Sequence, residues 1–97
     1  MNEYAKKWVE ALRSGEFKQG KYQLKTFDEE GNTRYCCLGV AEEVIDEVKR
    51  YCDNSLAYDS LELLEIDTEI EGKLIYMNDE EEKSFNEIAD YIEKVAK

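Results

Sequence analysis

The sequence contains no histidine. Ser-His-Asp and Cys-His catalysis are therefore excluded, because both need an imidazole to take the nucleophile's proton near neutral pH. Mixed Cys/His zinc sites fall with them. Cysteine is scarce: Cys36, Cys37 and Cys52 are one short of an all-cysteine tetrahedral zinc site. Adjacent cysteines also lack the C-x-x-C spacing that lets two thiolates grip one metal. An odd number in a cytosolic chain reads as free thiols, with packing as their role. Proline is absent, and the five glycines (Gly15, Gly20, Gly31, Gly39 and Gly72) form neither G-x-G-x-x-G nor a Walker loop. No standard phosphate cradle is encoded. No apolar run approaches the roughly 18 residues of a membrane span, and the opening MNEYAKKWVE is no signal peptide. A cytoplasmic protein without cofactor, metal or membrane association is expected.

What is present is charge and a modest apolar inventory. Of 97 residues, 42% are hydrophobic, including seven Tyr, three Phe and one Trp, enough for one domain over residues 1–97. The formal charge is −11, and it is split along the chain. Residues 1–37 carry a net +1 and residues 38–97 a net −12. Arg13, Lys18, Lys21 and Lys25 face only Glu16 within 13–26, a small basic segment in an acidic protein. Duplex nucleic acid is disfavoured, since binding it means neutralising a continuous phosphate backbone. A small anion needs only two or three cations and remains allowed.

Residues 3–14 predict an amphipathic helix with Tyr4, Trp8, Ala11 and Leu12 on one face, Asn2 as N-cap and Gly15 just past the end. Residues 21–27 alternate, with Tyr22, Leu24 and Thr26 on one face and Lys21, Gln23, Lys25 and Phe27 on the other, which predicts a strand. A turn at 28–32 containing Gly31 and Asn32 returns the chain into a partner strand at 33–37. The 3.6-residue period then resumes over 38–52, with Leu38, Ala41, Val44, Ile45, Val48 and Cys52 inward. Gly39 at the strand-to-helix switch suits close backbone packing; a phosphate at that helix start is physically reasonable. Residues 53–60 read as a loop. Residues 61–77 are ambiguous between strand and helix, with a short helix favoured for 73–78. Residues 85–96 form a helix, with Ser84 and Glu87 as a capping box. The fold class expected is α+β: an N-terminal helix, a β-hairpin, a central helix, a variable segment, and a C-terminal helix packed on a small antiparallel sheet.

The run Asn78-Asp79-Glu80-Glu81-Glu82 offers oxygen ligands to a hard cation, but lacks the alternating spacing of a calcium loop. It reads as a solvated loop whose acids favour the next helix dipole.

Three stretches carry a resemblance. They are Trp8-Val9-Glu10-Ala11-Leu12-Arg13-Ser14-Gly15-Glu16-Phe17-Lys18-Gln19-Gly20, Tyr35-Cys36-Cys37-Leu38-Gly39-Val40, and Met77-Asn78-Asp79 followed by Ser84-Phe85-Asn86-Glu87-Ile88-Ala89-Asp90-Tyr91-Ile92-Glu93. In this order the chain resembles a family of small, mostly uncharacterised proteins of tailed phages and prophages. That family's marks are W-V-x-A-L-R-S-G-x-[FY]-x-Q, C-C-L-G-V and N-D…S-F-x-E-I-A-D-x-I-E. Members often follow C-C-L-G-V with a cysteine and an Asp, where this chain has Ala41, Glu42 and Glu43. The resemblance implies phage origin and an infected bacterial host cell; it names no activity.

Core formation or capping accounts for most motif positions. Arg13, Gln19, Asn78 and Asp79 stand outside that account, and an Arg fork and a Gln amide make directional hydrogen bonds. One explanation pairs Arg13 with Asp79 and lets Gln19 satisfy backbone groups in a tight connection. The other is a ligand site. It sets Arg13, Lys18, Gln19, Lys25 and Arg34 around a phosphate, Tyr22 or Tyr35 on a base, and Asn78 and Asp79 nearby. Small phage accessory proteins often counter bacterial immunity. The leading expectation is therefore a sponge that sequesters a nucleotide-derived immune signal, a cyclic oligonucleotide or ADP-ribose derivative, without turnover and as a homo-oligomer. The alternative is an acidic inhibitor of a host defence protein, acting by charge complementarity. A metal-assisted phosphodiesterase using Asp79 and nearby Glu ranks last.

Overall fold

A computed structural model describes residues 1–96. Helix α1 (Glu3–Arg13) starts where Asn2 caps it: the Asn2 side chain accepts from the Ala5 amide, satisfying one donor that has no partner within the helix. It ends before Gly15, whose φ of +79° suits glycine. The buried stripe is Ala5, Trp8, Val9 and Leu12, rotated slightly from the expected face, so that Tyr4 and Ala11 sit at its margins. Strands β1 (Lys25–Phe27) and β2 (Thr33–Tyr35) form the first antiparallel hairpin, with Lys25 opposite Tyr35. Asp28 organises its turn by accepting from the Glu30 and Asn32 amides.

The alternation over 21–27 yields only a three-residue strand. Tyr22, expected on a strand face with Leu24 and Thr26, instead has a φ of +72° and is 60% exposed. Leu24 alone of that face is fully buried, and its backbone bonds both to Asp53 and to Cys36. Helix α2 (Cys37–Val44) is shorter than the expected 38–52, because Ile45 turns extended. Ile45 and Val48 are buried as expected, but from a turn. The chain then forms a second antiparallel hairpin, β3 (Arg50–Cys52) with β4 (Ser55–Leu56), where a helix end and a loop were expected. Cys52 is consequently exposed rather than in the core.

Helix α3 (Tyr58–Leu63) and helix α4 (Thr68–Asp79, capped by Asp67) resolve the ambiguous stretch as helical. Asn78 and Asp79, expected in a solvated loop, are the buried last residues of α4. Helix α5 (Phe85–Val95) begins with the Ser84–Glu87 capping box and buries Phe85, Ile88, Ala89 and Ile92. Its principal neighbours are α1 and α4, while α1 also packs on α2 and the first hairpin leans on α2. The class is α+β, with two two-stranded sheets at the side of a helical core. Trp8 sits at the centre of that core. Its indole N–H donates to the Cys37 carbonyl at 2.8 Å, so the largest apolar side chain is buried without an unpaired polar atom.

No described helix is long and apolar enough to cross a membrane.

Candidate functional site

The four motif residues that packing left unexplained divide into two groups. Gln19, Asn78 and Asp79 meet. The Gln19 amide donates to Asn78 Oδ1 and to the Lys83 carbonyl, both at 2.8 Å. Asn78 Nδ2 donates to the Gly20 carbonyl and to Asp79 Oδ1, and its Oδ1 also accepts from the Cys37 amide. Asp79 Oδ1 accepts from the Tyr22 amide at 3.0 Å, holding that residue in its left-handed conformation. Gly20 and Lys18 meanwhile bond to Tyr35 through their backbones. The network thus fastens the irregular segment 18–24 to the end of α4. It also satisfies the first amide of α2, where a phosphate had been a physical option. Gln19 does bind a backbone group in a tight connection, as the packing explanation had it.

Arg13 lies elsewhere. It bridges to Asp90 at 2.7 Å and to Glu93 on α5, not to Asp79. Arg34 bonds Asp28 at 3.2 Å and the Gln19 carbonyl at 3.4 Å. Tyr35 stacks edge-on against Phe17, with ring centres 5.4 Å apart, and donates its hydroxyl to Glu43. Burial, followed by the Glu43 carboxylate, raises its pKa. Lys18 and Lys25 are exposed and make no ion pair among the described residues. Arg13 and Gln19 do line one shallow depression of about 190 Å³ between the end of α1 and the start of α5, with Phe17 and Ser84. The remaining expected ligand residues do not converge on it.

The thiols differ by environment. Burial pushes Cys36 up to about 11 against the opposing amides of Gly39 and Leu38, and raises fully buried Cys37 well above the ordinary range. Cys52 goes the other way, lowered chiefly by its hydrogen bond with Ser55. Among the described residues no three His, Cys, Asp or Glu side chains are grouped to hold a metal ion.

The larger surface features lie where sequence reasoning had not looked. An open depression of about 580 Å³ is lined by Asn2, Glu3, Tyr4, Asp59, Glu62 and Leu63. A second of about 350 Å³, lined by Glu62, Glu65, Ile66, Asp67 and Ile70, shares Glu62 with it. The segment 59–70 carried a readable signal, since Asp59, Leu63, Ile66 and Ile70 recur at helical spacing. The signal was interrupted by the break between α3 and α4, where Glu65 adopts a φ of +63°.

Residues 1–50 match the family described as Domain of unknown function (DUF8296), and with half the chain matched the protein belongs to that family. No curated protein and no solved structure matches the chain.

Proposed function

We propose that this family member acts by binding another protein stoichiometrically through the acidic surface of its C-terminal part, without turnover. The carrying observation is the surplus of acidic charge that no cation of the chain offsets. Arg13, Lys21, Arg34, Arg50 and Lys73 are engaged by carboxylates within the chain, while Lys6, Lys7, Lys18, Lys25, Lys49, Lys83 and Lys94 make no ion pair among the described residues. Those bridges occupy seven of the 24 side-chain carboxylates, and the others make no ion pair among the described residues. A surplus of negative charge of this kind steers and selects a positively charged partner. The resemblance to tailed-phage proteins supports a host defence protein as that partner, met in the cytoplasm of an infected bacterium. The test is a titration of the captured, purified partner at rising NaCl. Affinity should fall steeply with ionic strength; a complex indifferent to salt removes the reading.

Sequestration of a nucleotide-derived signal is the second reading. The depression shared by Arg13 and Gln19 favours it, but at about 190 Å³ it is smaller than the roughly 300 Å³ at which small-molecule pockets begin. A ligand there would also have to draw Arg13 from Asp90 and Glu93. A thermal-shift panel of cyclic oligonucleotides and ADP-ribose derivatives decides it. A bound ligand at 100 times its Kd adds about 2.7 kcal/mol, and no shift across the panel eliminates it.

A further inference from the structure

The two depressions share Glu62 as a lining residue, and taken together they make a groove. Half-buried Tyr4, Leu63 and Ile70 provide its apolar surface, the buried core residue Ile66 also lines it, and Glu3, Asp59, Glu62, Glu65 and Asp67 stand around it. No Lys or Arg lines either half, and none of these five carboxylates is bridged to a cation among the described residues. Single exposed apolar residues are ordinary. An apolar strip fenced by charge of one sign is different, because a cation brought in by an occupant meets carboxylates that no cation of the chain already bridges. The occupant must therefore offer apolar side chains flanked by cations.

Its backbone form follows from the walls. The groove is built from the first turn of α1, from α3, and from the start of α4 with the connection before it. No strand borders it, so strand addition has no edge to use. A helix laid into a groove needs only side-chain anchors at i, i+3, i+4 and i+7. Resting on the protein-binding reading above, we propose that this groove docks a basic amphipathic helix of the partner protein. The helix sets its apolar stripe on Tyr4, Leu63 and Ile70 and its Lys and Arg side chains against the five carboxylates.

The probe is a fluorescent Leu/Lys peptide of about 18 residues with Leu at the helical anchor spacing, beside a scrambled peptide of identical composition. The patterned peptide should bind about tenfold more tightly than the scrambled one. Asp59→Lys with Glu62→Lys should weaken it about tenfold, as two surface attractions become repulsions. Glu29→Lys with Glu30→Lys, the same charge change in the β1–β2 turn, should leave the preference for the patterned peptide intact. Amide shifts of the wild-type protein on titration should concentrate at residues 2–4 and 59–70, a readout that survives if a variant misfolds. Absent binding, equal binding of the two peptides, or equal losses in the two double variants would overturn the groove. Salt-sensitive binding of the purified partner that persists in Asp59→Lys/Glu62→Lys would also remove the groove, while leaving the protein-binding reading standing.

Discussion

A methyl group added at Gly39 would sit 1.7 Å from the carbonyl oxygen of Leu24. The obstacle is backbone, and that carbonyl already accepts from the Cys36 amide, so it cannot swing away without cost. Gly39 lets α2 and segment 18–24 touch, which is the role its place at the strand-to-helix switch suggested. Gly39→Ala should destabilise the protein by about 3 kcal/mol or more, through overpacking against a fixed group. Gly72 is the internal contrast. It lies exposed within α4, and nothing stands within 4 Å of an added methyl. Gly72→Ala should stabilise by up to about 1 kcal/mol, the difference in helix propensity. Denaturant unfolding of both variants checks the pair. Equal and small effects would mean that the contact at Gly39 is not as close as described.

At the scale of elements, one buried carboxylate joins the second hairpin to the helical core. Glu71, in the first turn of α4, accepts from the Leu56 amide at 2.9 Å and is only 8% exposed. Burial raises its pKa, and the Leu56 amide opposes the shift in part. A carboxyl with a raised folded pKa binds its proton more tightly folded than unfolded. Its contribution is full below the unfolded value of about 4.3 and is lost as pH rises through the folded value. Glu71→Gln keeps an acceptor for Leu56 without the titration. Wild type should therefore lose stability relative to Glu71→Gln as pH rises from about 4 to about 7. A difference constant with pH would show that Glu71 titrates as an ordinary carboxylate.

The same hairpin shows where sequence pattern ends. The three-residue spacing of Ile45 and Val48 suits either one more helical turn or a tight reversal, and both bury the same side chains. The reversal is favoured by pairings that local periodicity does not register: Arg50 returns to Glu42 in two bonds of 2.7 Å, and Lys49 donates its amide to Ser60. The first and last helices were legible because their apolar spacing and their caps, Asn2 and Ser84, agree. The candidate residues were legible as exceptions rather than as a site. Gln19, Asn78 and Asp79 stood out for lacking a packing role, but their shared network bridges about sixty residues of chain. Arg13 has its partners on α5, farther still along the chain.

For the whole molecule, two electrostatic effects oppose each other. Salt weakens the attractive surface bridges, each worth at most about 1 kcal/mol. Salt also screens the mutual repulsion of a chain with a net charge of −11. The bridges are local and half-exposed. The repulsion acts among all the carboxylates that no cation offsets, including the five around the groove, and compact folding brings them closer than in the unfolded chain. Repulsion should dominate, so Tm should rise by several degrees between about 20 mM and about 0.5 M NaCl, the range in which the screening length falls from tens of ångströms to a few. A basic amphipathic peptide should raise Tm at low salt and lose that effect at high salt, because it supplies at the groove the neutralisation that salt supplies everywhere. A Tm that falls with NaCl would mean that the bridges outweigh the repulsion. The negative surface would then be balanced within the chain, leaving a cationic partner little to gain from it.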